Sequence, residues 1–423
     1  MDNSCPYALD TNGRDIHAEA DYLRSQGPAV QVQLPGGVNA WSVNSYTVAK
    51  QLLTGPNVTK SAREHWPAFI NGEIPPDWEM ISWIAMDNMV TAHGKNHLRL
   101  RRLVGKAFTP RRTEAIRPRI LELTNELLAD LETTGPGEPV DLRERFAYPL
   151  PARLAADLIG MTEDARAETA SVIAMMVDTT VSPEQAQAVL TGWRTAMEEL
   201  IALKRRTPGE DIASDLIAAR DEDGSRLTEA ELTDTIFAIL GAGSETTINL
   251  FDNAISSLLT HPDQLNLVRT GGATWEDVID ETLRAQSPVA HLPLRYAVAD
   301  IALDGVTIPK GEPILINFGA AGRDPHLHGA SAGTFDITRT DKEHLSFGHG
   351  PHYCLGAGVA RLVATIGLSS LFDRFPHMSL AVDPTALEPL PTFMMNGHRT
   401  LPVLLNGGGV DGGAARRPAT LSR

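Results

Sequence analysis

Cysteine is scarce in this chain of 423 residues, where Cys5 and Cys354 are the only two. Two thiols so far apart cannot make a disulfide framework, and Cys5 reads as inert. Long apolar runs are missing as well. No stretch approaches the ~20 uncharged apolar residues of a membrane-crossing helix. The start, Met1-Asp-Asn-Ser-Cys-Pro, has neither the basic flank nor the apolar core of a secretory signal. The expectation is a soluble, cytoplasmic chain with no membrane partner. Basic charge is outweighed, with 37 Lys and Arg against 53 Asp and Glu for a net charge of −16. That balance argues against nucleic acid as a partner, because its binding needs a basic face that releases counterions. Internal repeats and a linker that would split the chain are absent too.

What is present is an ordinary globular composition, 42% hydrophobic and 21% charged, able to bury a large core. A strand-like run at Val30-Gln-Val-Gln-Leu34, a turn at Pro35-Gly-Gly and an apolar run around Trp41 predict a small β-rich part near the start. Helical periodicity dominates from His97 to Arg284, broken by loops such as Thr134-Gly-Pro-Gly-Glu-Pro and Asp221-Glu-Asp-Gly-Ser. Strands return after Pro288, at Arg295-Tyr-Ala-Val and Pro313-Ile-Leu-Ile-Asn. The glycine-rich end, 407–423, is expected to be a disordered tail, which leaves 1–406 as one domain.

Cys354 lies in the run Phe347-Gly-His-Gly-Pro-His-Tyr-Cys354-Leu-Gly356, which leads into a helical segment. A thiol becomes an anionic ligand most readily at a helix N-terminus, where unpaired N–H groups and the dipole stabilise negative charge. Gly356 keeps the first turn uncluttered. Gly350 lets the backbone turn where a side chain would obstruct it, and Phe347 is an apolar ring placed to shield the sulfur. This arrangement suits a thiolate bound to haem iron. A buried cysteine in a glycine-rich turn is the plainer alternative, and support elsewhere in the chain weighs against it.

Thr228-Glu-Ala-Glu231 is a capping box that opens a helical run reaching His261-Pro262. Inside that run lies Ala242-Gly-Ser-Glu245-Thr246-Thr247, where Ala238, Ala242 and Thr246 share one face at i, i+4 spacing. A hydroxyl there competes for a backbone carbonyl and can hold water. A phosphate-binding loop is excluded because no lysine follows these glycines. Glu281-Thr-Leu-Arg284 places opposite charges at i, i+3 on a helix begun by Thr274-Trp-Glu-Asp. From His97 to Arg112 there are six Lys and Arg residues and no acid. On an acidic chain that run, with Arg99, Arg102 and Lys106, reads as a docking surface for a small acidic partner, which the resemblance given below makes an electron donor.

Together these features resemble the cytochrome P450 superfamily of haem-thiolate monooxygenases. The cysteine run fits the family's Phe-x-x-Gly-x-(Arg/His)-x-Cys-x-Gly with His352 in the Arg/His place. Ala242 to Thr246 fits Ala/Gly-Gly-x-(Asp/Glu)-Thr, Glu281 and Arg284 fit Glu-x-x-Arg, and His97 and Arg101 fit His-x-x-x-Arg. The likeness covers nearly all of residues 5–405. It implies a mainly α, single-domain fold with minor β, a long central distal helix and a cysteine-bearing haem loop. It implies haem b with Cys354 as the sole metal ligand, surrounded by His97, Arg101, Ala242, Arg295, Phe347, Gly348, His352 and Gly356. Glu281 and Arg284 become a buried structural ion pair. The family often adds an Arg before a Phe in the following loop; here Thr334 precedes Phe335, and Arg339 is the candidate substitute. Glu245 and Thr246 become the catalytic proton relay.

The implied reaction inserts one atom of dioxygen into a C–H bond. Electrons come from NAD(P)H by way of ferredoxin reductase and ferredoxin, because the chain carries no flavin or nicotinamide fingerprint of its own, and a monomer is expected. Candidate pocket walls are Ile84, Met86 and Met89; Ala238 and Ala242 on the distal helix; Val289, Ala290 and Leu292; and Met394 and Met395. These apolar, Met-rich walls suit a bulky hydrophobic molecule, although core packing explains Met394 and Met395 about as well. Trp66 to Pro75, Asn88 to His97 and Asn396 to Pro402 resemble a soluble bacterial branch acting on steroids and polyketide-type molecules. Steroid hydroxylation is the first expectation, and polyketide or macrolide tailoring is the alternative. The rival of another class is a haem-thiolate sensor or electron carrier, which would have no use for the Glu245 and Thr246 relay.

Overall fold

The structure, a computed structural model, describes residues 5–163, 165–166, 168–169, 183–221 and 224–406. The expected tail, 407–423, lies outside them. Strands from both ends of the chain meet in one sheet. The strands are β1 (Tyr7–Ala8), β2 (Val30–Gln33), β3 (Asn39–Val43), β4 (Val58–Thr59), β5 (Val140–Asp141), β6 (His291–Ala297), β7 (Ile301–Leu303), β8 (Val306–Ile308), β9 (Pro313–Asn317), β10 (Ser379–Leu380) and β11 (Pro402–Leu404). Six of them form the order β1-β2-β3-β9-β6-β4, with β10-β11-β5 and β7-β8 as smaller sheets.

The β-rich part expected near the start is therefore not separate. Its strand β3 runs parallel to β9, with Trp41 opposite Ile314 and Val43 opposite Ile316. In β9 the residues Ile314, Leu315 and Ile316 are at most 1% exposed, the continuous apolar run of a strand covered on both faces. Strand β6 begins at His291, earlier than the sequence suggests, and pairs antiparallel with β9 through a bulge between Leu292 and Arg295. Pro293 sits in that bulge and has no N–H to give to a ladder.

Seven helices frame the interior: α1 (Gly94–Gly105), α2 (Arg117–Leu131), α3 (Pro149–Ile159), α4 (Pro183–Arg206), α5 (Glu229–Thr260), α6 (Trp275–Ala285) and α7 (Ala357–Arg374). The expected capping box opens α5: the Glu231 N–H donates to the Thr228 hydroxyl at 3.2 Å, and the Thr228 N–H donates to the Glu231 carboxylate at 2.9 Å. With 32 residues, α5 is about 48 Å long. Its C-terminal half is buried all round and packs on α3, α6 and α7 through Ile248, Phe251, Ala254, Ile255 and Leu258. Gly367 lets α7 come close, since a Cβ there would lie 2.6 Å from the Phe251 ring. Phe251 meets Phe146 edge-on at 5.7 Å, and truncating such a ring costs about 3–5 kcal/mol. This core fixes the C-terminal half of α5, while Leu232, Ile236, Phe237 and Leu240 bury one side of its N-terminal half against Trp193 and Met197 of α4. Among the described residues, no helix is long and apolar enough to cross a membrane.

Candidate active site

The loop before α7 is shaped by its own backbone. Gly348 and Gly350 hold φ of +72° and +70°, which other residues adopt only under strain. A Cβ at Gly350 would also lie 2.8 Å from the Thr54 methyl. The Cys354 N–H donates to the Phe347 carbonyl at 2.7 Å, and the Tyr353 N–H to the Gly350 carbonyl at 3.0 Å. The loop thus presents Cys354 two residues before Gly356, the N-cap of α7. Cys354 has accessible surface, yet its thiol is crowded by protein on most sides, the situation of a group on a cavity floor. Burial pushes the thiol pKa up, while the Gly356 and Ala357 N–H groups and the Arg101 charge pull it down. Arg101 on α1 donates to the Tyr353 carbonyl at 2.7 Å and so braces the loop. Phe347 is fixed in turn by the Arg361 guanidinium, 5.3 Å from its ring.

Beside this loop lies a group of basic side chains. The His97 and His352 rings stand 4.1 Å apart. His97 is buried, and its Nε2 has no hydrogen-bond partner. Burial, then the charge of Arg101, pull His97 down to about 4. Burial lowers Arg295 to about 10, and burial, then Arg295, hold Lys60 well below the usual lysine range. His352 is driven far down, first by burial and then by Arg295, His97 and Lys60. No described carboxylate pairs with Arg295 or Lys60. Buried cations and an orphaned imidazole call for anions from outside the chain. A thiolate-bound haem, with two carboxylates on one edge, fits this donor set. Lys60 is absent from the sequence expectations because nothing in its spacing marks it.

The N-terminal half of α5 carries an open stripe. Ala242 and Gly243 are exposed, and Ala238, Glu245 and Thr246 are half-buried, just before the fully buried run 247–258. A Cβ on Gly241 or Gly243 would meet nothing within 4 Å. Thr246 donates its hydroxyl proton to the Ala242 carbonyl at 2.7 Å, and Thr247 donates to Gly243 at 3.0 Å. Both capture carbonyls four residues back, as the sequence suggests. Burial raises the Glu245 pKa, opposed by the charge of Arg143. Arg143 itself donates to Asn249 at 2.9 Å and to Asp252 at 3.1 Å, and the Asp252 carboxylate accepts from the His398 N–H at 2.5 Å. This network ties the C-terminal segment to α5, and no sequence motif announces it.

The candidate pocket walls divide. Met86, Met89, Val289 and Leu292 are half-buried. Ile84, Ala290, Met394 and Met395 are 1–5% exposed and sit inside packed layers, Met394 and Met395 beside Trp66, Trp78 and Phe393. For those four, packing accounts for the apolar character. Glu281 and Arg284, both with fully buried side chains, exchange bonds of 2.7 and 2.6 Å. Arg284 also donates to the carbonyls of Gly322, Ala332 and Thr334 at 2.7–2.8 Å. Arg339 approaches Glu281 at 3.9 Å, so the substitute partner stands at the edge of the pair.

The basic run on and after α1 is tied to the segment before α5. Arg99 pairs with Glu231, and Arg102 with Asp221; Lys106 donates to the Arg220 carbonyl at 2.6 Å, and Arg112 pairs with Asp215. The side chains of Arg102 and Arg112 remain 53% and 48% exposed.

The profile of the family described as Cytochrome P450 matches residues 275–400. The chain is 48% identical to "2-hydroxy-5-methyl-1-naphthoate 7-hydroxylase" of Streptomyces carzinostaticus, over 95% of this chain and 98% of that one. It is similar to the solved structure of CYP154A1 from Streptomyces coelicolor A3(2), at 49% identity and a TM-score of 0.89, covering 95% and 100% of the two chains. Testosterone-bound CYP154C4 from Streptomyces sp. ATCC 11861 matches at 40% identity and a TM-score of 0.91, covering 95% and 99%.

Proposed function

Since the chain belongs to the cytochrome P450 family and is a monooxygenase, we propose that it hydroxylates a hydrophobic fused-ring small molecule, with electrons from NAD(P)H by way of ferredoxin reductase and ferredoxin. The observation that carries this reading is a crowded thiol whose loop, through Arg101 and the His97 and His352 rings, adjoins basic groups that no described carboxylate answers. The family implies haem b, and haem with a thiolate ligand would supply oxygen activation and transfer to a C–H bond. Cys354 is the proposed ligand, its sulfur stabilised by the Gly356 and Ala357 N–H groups. Arg101, Arg295, His97 and His352 would hold the cofactor's edge.

Thr246 gives its own proton to Ala242, so its lone pairs are free to accept from a water in the cavity. Glu245 keeps a proton more readily than an exposed carboxylate, because burial raises its pKa. The pair is therefore arranged to hold and pass protons at the α5 stripe without admitting bulk solvent. Met86, Met89, Val289 and Leu292, with Ala238 and Ala242, provide an apolar, adaptable wall.

A naphthoate-like aromatic takes precedence over a steroid. The relative named for a naphthoate is 48% identical over most of both chains, whereas the testosterone-bound structure is 40% identical. Both ligands are flat, fused-ring and largely apolar. The test supplies surrogate ferredoxin, reductase and NADPH with hydroxynaphthoates, steroids and macrolides. The expected result is NADPH-dependent hydroxylation of a naphthoate. Turnover of macrolides alone would overturn the fused-ring assignment, and a thiolate-type spectrum with no product from any class would favour a sensor.

A further inference from the structure

Lys60 is the member of the cation cluster that no motif assigns. It directly follows β4, is 5% exposed, and donates to the Pro293 carbonyl at 3.2 Å. That single neutral acceptor leaves a buried ammonium poorly compensated. Its charged neighbour is Arg295, which has no carboxylate of its own among the described residues. The antiparallel pairing of β4 with β6, with Thr59 opposite Tyr296, carries Lys60 on toward Arg295 and the Pro293 carbonyl.

We propose that Lys60 is a second cationic seat for a haem propionate, acting beside Arg295. The inference rests on the reading of Cys354 as the iron ligand. Haem b carries two carboxylates on one edge; beside Arg101 the cluster offers the buried Arg295 and Lys60, and a carboxylate against Lys60 would offset the burial that disfavours its ammonium form. His97, pulled to about 4 mainly by burial, is uncharged near neutral pH and serves as a donor. The two buried cations, Arg295 and Lys60, match two carboxylates in charge, which favours burying both. Without Lys60, Arg295 would be left as the buried cation for two carboxylates, with Arg101 already engaged by the Tyr353 carbonyl.

The experiment uses the holoenzyme with Lys60→Gln, which keeps a donor for Pro293 but no charge, and Lys60→Arg, which keeps the charge. The reduced carbon monoxide spectrum is recorded first. A wild type without a thiolate-type band would defeat the Cys354 reading itself, separately from this one. With that band present, Lys60→Gln should shift the propionate bending mode in the resonance Raman spectrum. It should also transfer haem to apomyoglobin about tenfold faster, with Lys60→Arg close to wild type. An unchanged propionate mode overturns the proposal, even if haem leaves faster, since faster loss alone would make Lys60 a brace for β6. Weakened binding of a carboxylate-bearing substrate with unaltered haem would assign the seat to substrate and overturn it too. Should Lys60→Gln fail to accumulate, wild type and Lys60→Arg are compared by the same mode. A guanidinium shifts the mode of a propionate it touches, and identical frequencies reject the contact.

Discussion

Arg102 and Asp221 meet through two parallel hydrogen bonds, Nε to Oδ1 at 3.0 Å and Nη2 to Oδ2 at 2.7 Å. The pair joins the basic helix α1 to the loop before α5, with the Arg102 side chain 53% exposed and that of Asp221 7% exposed. Its energetic value is modest, because half of it lies in water.

Charge reversal at Arg102 should consequently act on stability and not on electron transfer. Arg102→Glu places a second carboxylate beside Asp221 and should destabilise the fold by about 1 kcal/mol. Reduction by ferredoxin, followed by stopped flow, should keep its rate and salt dependence. A large fall in that rate with unchanged Tm would restore the docking role that the sequence suggests for this run.

The Glu281 and Arg284 pair predicts a far larger effect. Both side chains are fully buried, and the Glu281 carboxylate also accepts from the Asp336 N–H at 2.8 Å. Glu281→Gln leaves an uncompensated buried guanidinium, a change that costs about 3–5 kcal/mol. The expected outcome is little recoverable holoenzyme and a sharply lowered denaturation midpoint. Arg339→Ala should cost much less, since Arg339 reaches Glu281 only at 3.9 Å.

The contrast between these two pairs shows what the sequence carries. Glu281 and Arg284 are three residues apart on one helix, so spacing alone juxtaposes them. The same locality made the α5 capping box and the turn-forming glycines before Cys354 legible. Arg102 and Asp221 are separated by a long stretch of chain, and composition said only that the run was basic. The partners of β3 and the burial of Lys60 are equally non-local. Lys60 gains its meaning from the pairing of β4 with β6, a strand that enters the fold more than half the chain later. Apolar character was visible at Met394 and Met395, but whether a side chain lines a cavity or fills a core is decided by its neighbours.

Glu245 should impose a pH dependence on stability. Burial raises its pKa above the ordinary glutamate value, and Arg143 only partly opposes this. Between the ordinary and the raised pKa the folded chain holds a proton that the unfolded chain has released. Stability from this group is therefore present at low pH and declines as pH rises through that window. Glu245→Gln cannot titrate and should flatten the decline. Thermal denaturation of both proteins across mildly acidic to neutral pH provides the check, and parallel curves would deny Glu245 its raised pKa.

Thr246 separates proton delivery from every other property of the site. Its hydroxyl bonds to the Ala242 carbonyl within the same helix and takes no part in the cation cluster or the cysteine loop. Thr246→Ala should leave the thiolate-type spectrum and substrate affinity close to wild type. Losing the hydroxyl removes the fixed acceptor for cavity water, so protons arrive without order and reduced oxygen escapes as hydrogen peroxide. Product per NADPH consumed should fall by roughly an order of magnitude, with peroxide rising to match. Thr246→Ser restores an oxygen able to make the same bond to Ala242, and coupling should largely return. If the alanine variant couples as well as wild type, the Thr246 hydroxyl serves only the helix backbone, and Glu245 must pass its proton through another group.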